Sequence, residues 1–444
     1  MLTAFARAFR TPDLRRKLLF TLAIMALFRL GSFIPTPGIS YSAVRTCINQ
    51  AQNTSQGGLA ATLGLANVFS GGALLQLSIF ALGIMPYITA SIIVQLLTVV
   101  IPRFETLKDE GQSGTAKLTQ YTRYLTIGLA ILQSTTLVAM ARANRVFGDS
   151  CTADIVPRED IWTVLLMVIT LTAGTGLIMW MGELVTERGV GNGMSLLIFT
   201  SIAATFPGSL WGIKQQNDAT GHGWDTLALV IVLGIVVMAL VIFVEQSQRR
   251  IPVQYAKRMI GRRMYGGTST YIPIKVNMAG VIPVIFASSL LYLPTLISGF
   301  QQNSTAPWVT FIRRHLQRGD EPLYMLVYFV LIIFFTYFYV AITFNPDEVA
   351  ENMKKYGGFI PGIRAGRPTA EYLSYVLSRI TLPGSLYLAI IALIPLVALA
   401  LIKANTSRFP FGGTSILIVV GVGLETVKQI ESQLQQRHYE GFLR

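Results

Sequence analysis

The sequence is short of charge. Only 13% of its 444 residues are Asp, Glu, Lys or Arg, against roughly 25% in a soluble domain. That scarcity excludes a cytosolic enzyme with one ordinary core, and equally a disordered or fibrous chain. Histidine is rare: His222, His315 and His438 lie far apart. No Walker, zinc or triad pattern appears, so catalysis has no visible seat and no cofactor or metal is implied. Cysteine occurs only as Cys47 and Cys151. Strict polar/apolar alternation is missing too, which excludes a transmembrane β-barrel.

What is abundant is apolar surface, at 52% of residues and a mean hydropathy of +0.54. Crossing the hydrocarbon core takes about 20 apolar residues in a helix. Ten stretches qualify: 18–34, 73–101, 121–141, 161–181, 194–213, 226–244, 272–300, 323–344, 382–402 and 414–424. The last is expected to continue through Glu425. The first reads as a span rather than a cleavable signal, because Arg29 interrupts it and no small-residue cleavage site follows. Pro86, Pro283, Pro294, Pro383 and Pro395 suggest kinks.

Ten spans put both termini on one side. Loops on that side hold 23 Lys and Arg; those on the other hold ten. The positive-inside rule therefore places both termini in the cytoplasm. Most of the net charge of +14 is thereby topological. One loop exceeds this need. Residues 245–271 carry Arg249, Arg250, Lys257, Arg258, Arg262 and Arg263 around a single acid, Glu245. Stronger topogenic charge is the plain reading; a docking prong for an acidic partner such as ribosomal RNA is preferred, given the loop's length. Cys47 and Cys151 fall in outward loops, where an oxidising exterior would let them pair; two free thiols is the reading taken.

The spans contain no Asp or Glu before Glu425. That weighs against an ion-coupled secondary transporter, the rival class, which needs a charged or ion-coordinating midplane site. Thr89, Ser91, Gln95, Gln133 and Asn277 are embedded polar residues, more often interhelical glue than pathway. Between the first two spans, 59–68 is apolar but too short to cross, and Phe69-Ser70-Gly71-Gly72 breaks it from the next helix. Residues alone favour an interfacial helix over a re-entrant one.

Several motifs in order carry a resemblance over nearly the whole chain: 31–38 (GSFIPTPG), 69–73 (FSGGA), 79–87 (IFALGIMPY), 186–193 (TERGVGNG), 255–258 (YAKR), 275–283 (KVNMAGVIP), 358–364 (GFIPGIR) and 411–415 (FGGTS). The chain resembles the SecY/Sec61-alpha family, the large channel-forming subunits of the Sec protein translocase. The resemblance implies an all-α polytopic membrane protein whose ten transmembrane helices form two inverted five-helix halves, 1–220 and 221–444, around a central pore. It implies a conduit for unfolded polypeptide in the bacterial cytoplasmic membrane, not an enzyme. An apolar pore ring falls on Ile84, Ile88, Met194, Ile198, Ile285 and Ile418, with Met194 departing from the usual Ile. Such a ring is a dewetting constriction that offers a translocating chain nothing to bind.

The resemblance also turns 59–72 into a plug, with Leu59, Leu63, Leu65, Val68, Phe69, Ser70, Gly71 and Gly72. It makes Thr89, Ser91, Gln133 and Asn277 a lateral gate for signal sequences. The loops 245–271 and 345–371 become docking surfaces for the ribosome and the SecA motor, with Arg364 at the second; an ion pair from Arg364 to Glu348 or Glu351 is the alternative. Ala365 stands where many members have proline. The small subunits SecE and SecG and the lipid bilayer complete the implied partners.

Overall fold

A computed structural model describes residues 9, 11–53, 70–142, 154–157, 160–218, 223–255, 258–260, 263–265, 269–300, 306–316, 321–402 and 413–440. The fold is mostly helical. Its helices are α1 Pro12–Gly31, α2 Tyr41–Asn53, α3 Met85–Val100, α4 Pro102–Asp109, α5 Gln112–Arg142, α6 Ile161–Arg188, α7 Gly193–Asp218, α8 Gly223–Gln246, α9 Ile282–Phe300, α10 Pro307–His315, α11 Pro322–Thr343, α12 Pro346–Lys355, α13 Arg367–Ile402 and α14 Gly413–Glu440. The strands are β1 Gln248–Tyr255, β2 Arg258–Ile260, β3 Arg263–Tyr265, β4 Ser269–Lys275 and β5 Gly358–Phe359.

Each of the ten apolar stretches contains a helix. Among the described residues, six helices are long and apolar enough to cross a membrane (α5, α6, α7, α8, α11 and α13), and α3 with α4 makes a seventh, bent by 104° between them. The other three stretches correspond to α1, α9 and α14. α14 runs past Glu425, as expected. The outward faces are apolar, as lipid requires: Leu229, Val232, Val236, Leu240 and Phe243 of α8 stand exposed, as do Trp162, Ile169 and Trp180 of α6.

Two expected helices start late. The stretch 73–101 is helical only from Met85, and 70–84 is a run of turns with Gly71, Gly72, Gly83 and Leu77 at positive φ. Glycine reaches that region without strain. The turns are held by the chain just beyond α1: Thr36 N–H and Oγ1 both donate to the Leu77 carbonyl, and Ile79 N–H donates to the Ile34 carbonyl. In the same way 272–275 belongs to β4, and helix resumes only at Ile282 after Gly280 at φ +61°. Pro86 and Pro283 therefore open α3 and α9 rather than kinking them. Proline suits a first turn, where its missing N–H has no helical partner. Pro207 and Pro294 lie inside helices.

The basic loop is folded. β1 pairs antiparallel with β4 from Gln248↔Lys275 to Gln254↔Ser269. β1 also pairs with β5, through Gln254↔Phe359 and Tyr255↔Gly358. Ile251 and Val253 are buried while Arg250, Pro252 and Gln254 between and beside them are exposed, the period of two that a half-buried strand requires; Arg249, ahead of this alternation, is exposed as well. Beneath the sheet, Ile274, Met353, Ile360, Leu373 and Val376 complete a small core.

Candidate functional site

The main core draws on α1, α3, α6–α9, α11, α13 and α14. At its heart lie five of the six residues expected to ring a pore. Ile84 caps α3, Ile88 follows one turn on, and Ile198, Ile285 and Ile418 come from α7, α9 and α14. Their exposures are 1, 7, 3, 8 and 0%, so all five are buried in one cluster. Met194 packs against this cluster but keeps partial exposure, and its sulfur lies so close to α6 that a Cβ built at Gly182 would sit 2.4 Å from it. The long thioether reaches this gap as a flexible gap-filler does.

Of the proposed plug, Leu59, Leu63, Leu65, Val68 and Phe69 lie outside the described residues. Ser70, Gly71 and Gly72 form its described end. Ser70 Oγ accepts from Leu74 N–H at 3.1 Å and caps the first turn that follows. Gly71 is packed against α7, where a Cβ would come within 3.2 Å of Ser201 Cα. Arg29 Nη1 donates to the Gly71 carbonyl at 2.5 Å. In the sequence Arg29 merely interrupts the first span, with no partner evident.

α9 packs on α3 and α5. Thr89, Gln133 and Asn277 are all buried there, yet none hydrogen-bonds another. Thr89 Oγ1 donates to the Met85 carbonyl of its own helix at 2.9 Å, and Ser91 accepts from Gln95 at 3.4 Å. Asn277 Nδ2 turns to Glu245 Oε1, at 2.5 Å, and to the Gly280 carbonyl, at 3.0 Å. Its Oδ1 is buried with no partner among the described residues. In the sequence Glu245 stands as the lone acid of the basic loop; a carboxylate at the end of an apolar helix, with an embedded amide elsewhere in the spans, is the signal that pairs them. An ion pair ties neighbouring helices: Arg123 of α5 grips Glu183 of α6 through two contacts of 2.8 Å.

On the β-sheet, Arg249 and Arg250 are exposed, and Arg250 stacks over the Tyr271 ring at 4.8 Å. Arg258 and Arg263 lie on the β2–β3 hairpin; Lys257 and Arg262 are outside the described residues. Arg364 is exposed between β5 and α13 and forms no ion pair among the described residues. The alternative bridge is absent there: Glu351 pairs with Lys355 at 3.3 Å, and the turn before α13 is fixed by Thr369 Oγ1 donating to the Arg364 carbonyl. Because β5 joins β1, the two basic loops form one surface.

Cys47 corrects another expectation. It is fully buried and disulfide-bonded, not a free thiol. The only other cysteine, Cys151, lies outside the described residues. Around Cys47 pack Val44, Leu74, Leu137 and Ile155.

Comparison with known proteins gives a consistent answer. A family model described as SecY matches residues 78–427. The chain is 69% identical to the protein translocase subunit SecY of Streptomyces scabiei and 58% identical to that of Mycobacterium bovis, covering all of each. Among solved structures it resembles one described as a protein conducting channel, with a TM-score of 0.62 at 19% identity, covering 94% of this chain and 91% of that one. It also resembles Sec61 from a canine ribosome–channel complex of the endoplasmic reticulum, with a TM-score of 0.59 at 18% identity and the same coverage.

Proposed function

The chain belongs to the SecY family, and from that premise we propose how its residues divide the work of a translocase channel. It is a protein-conducting channel subunit of ten-helix fold, not an enzyme, and it resides in a membrane. In the proposed reading, Ile84, Ile88, Met194, Ile198, Ile285 and Ile418 seal the pore, and segment 59–72 plugs it. The seam of α3 and α5 against α9 opens sideways for signal sequences and membrane segments. The carrying observation is that isoleucines from four helices meet in one buried cluster. An apolar constriction of this kind excludes ions by dewetting yet grips no passing chain.

The halves 1–220 and 221–444 act as inverted repeats hinged opposite that seam. Positive-inside charge supports both termini facing the cytoplasm, with the bacterial cytoplasmic membrane as the compartment. A disulfide at Cys47, on the opposite face, agrees with an oxidising exterior. The exposed cations of the β-sheet, with Arg364, form the docking surface for ribosomal RNA and the SecA motor. SecE and SecG are the proposed small subunits.

The test is crosslinking of a stalled secretory precursor to probes at Ile84, Ile285 and Ile418. Adducts at all three positions, moving along the precursor as it advances, are expected. Their absence, with export intact, removes the pore assignment.

A further inference from the structure

Glu245 is an acid one residue short of the end of an apolar helix, and such a group is kept near lipid only where it works. Lys275, Lys428 and Glu425 act on it electrostatically, yet among the described residues it forms no ion pair. Its direct partner is an amide. Asn277 Nδ2 donates to Glu245 Oε1 and, at 3.0 Å, to the Gly280 carbonyl. Asn277 is 3% exposed, and its Oδ1 is left without a partner among the described residues.

This clasp sits on the linker between the basic sheet and α9. β4 ends at Lys275 and α9 begins at Ile282, so residues 276–281 join the two. Ala279 belongs to the small core under the sheet and Val281 to the main core. The linker's backbone is gripped as well. Val276 N–H donates to the Ser247 carbonyl at 3.1 Å, and a Cβ built at Gly384 of α13 would sit 2.4 Å from the Val276 carbonyl oxygen. Gly280 turns the chain at φ +61°, and Ile285 N–H then donates to the Val281 carbonyl as α9 begins. Each of these partners lies within residues 245–384, and none of them belongs to α3 or α5.

We propose that Glu245 is a positioning residue of the gate, clasping Asn277 so that linker 276–281 and the first turn of α9 stay on their own half. The inference rests on reading the seam of α3 and α5 against α9 as the gate. Asn277 then anchors α9 and does not bridge the seam to Thr89 or Gln133. Losing the clasp frees the start of α9, which parts from α3 and α5 for a weaker apolar signal. The orphaned Oδ1 adds a signature. Glu245→Gln offers both an acceptor for Asn277 Nδ2 and a donor for its Oδ1, so it preserves the clasp where Glu245→Met removes it.

The test uses the full-length chain with its native subunits, reconstituted in proteoliposomes. It reads the translocation of a precursor with a shortened signal-sequence core as a ratio to that of the intact precursor. Glu245→Met and Asn277→Leu are each expected to raise this ratio about tenfold, the factor that 1.4 kcal/mol represents. Together they should raise it no further, since both remove one bond, whereas Asn277→Leu and Thr89→Val should multiply their separate effects. Coupling of Asn277 to Thr89 and not to Glu245 overturns the clasp. Glu245→Gln is expected to hold the ratio at or below wild type; a rise would mean that the charge matters and the acceptor does not, which also overturns it. Should Glu245→Met not assemble, this near-isosteric variant decides alone. A bismaleimide bridge between cysteines placed in α3 and α9 tests the seam itself. Translocation that survives the bridge removes the gate reading, and the clasp with it. A bridge that blocks translocation, beside a wild-type ratio in Glu245→Met, overturns the clasp alone.

Discussion

Ile418 is fully buried, although a channel chain must at some point hold a passage. Replacing Ile285 and Ile418 together with Asp is expected to hydrate the constriction and raise resting ion leak at least about tenfold, by the conversion of 1.4 kcal/mol per decade. Conductance of reconstituted channels measures it. Arg123 and Glu183 offer a different residue-scale test. Both side chains keep some exposure, at 45% and 18%, so the forked geometry is offset by solvent screening. A double-mutant cycle with Arg123→Ala and Glu183→Ala, read by thermal unfolding in detergent, is expected to give a coupling of about 1 kcal/mol or less. Cys47 makes a third: protein denatured without reductant should expose no maleimide-reactive thiol, and two after reduction. Reactivity before reduction would exclude the bridge.

At the scale of elements, the sheet β4-β1-β5 decides whether two basic loops are one surface. Arg249→Glu, Arg250→Glu and Arg364→Glu together are expected to weaken ribosome binding. Each lost phosphate contact should reduce the slope of log affinity against log salt by about 0.7 to 0.9. An unchanged slope would mean that these cations face no phosphate. Val253→Asp, which buries a charge under the sheet, should lower binding without touching a surface cation, if the sheet is what brings Arg364 beside the hairpin. Helix ends were only partly legible. Pro86 and Pro283 carry the signal of a helix start, but the apolar run on each one's N-terminal side hides it. Hydropathy weighs Phe80 and Leu82 as span, although they lie in turns tied to the chain just beyond α1 by backbone bonds between residues about 40 apart. Similarly, Ile272 and Ile274 read as membrane and fold as strand, because Ile274 is needed in the small core under the sheet.

At the scale of the whole molecule, charge asymmetry predicts the orientation. Reporter fusions at both termini should be active only in the cytoplasm, and a fusion in the loop 142–160 only outside. The sequence by itself determined the membrane class, the ten apolar stretches and the basic face, because lipid imposes composition and length directly on a spanning helix. Family motifs pointed to the six residues proposed as a pore ring. Only the tertiary structure decided that α9 closes on α3 and α5, that Asn277 turns to Glu245 rather than to Thr89 or Gln133, and that Arg29 reaches Gly71. Those are choices among partners far apart in the chain. Hydropathy is a property of each residue's own solvent, and it is blind to which of several polar neighbours the packed helices bring within 3 Å.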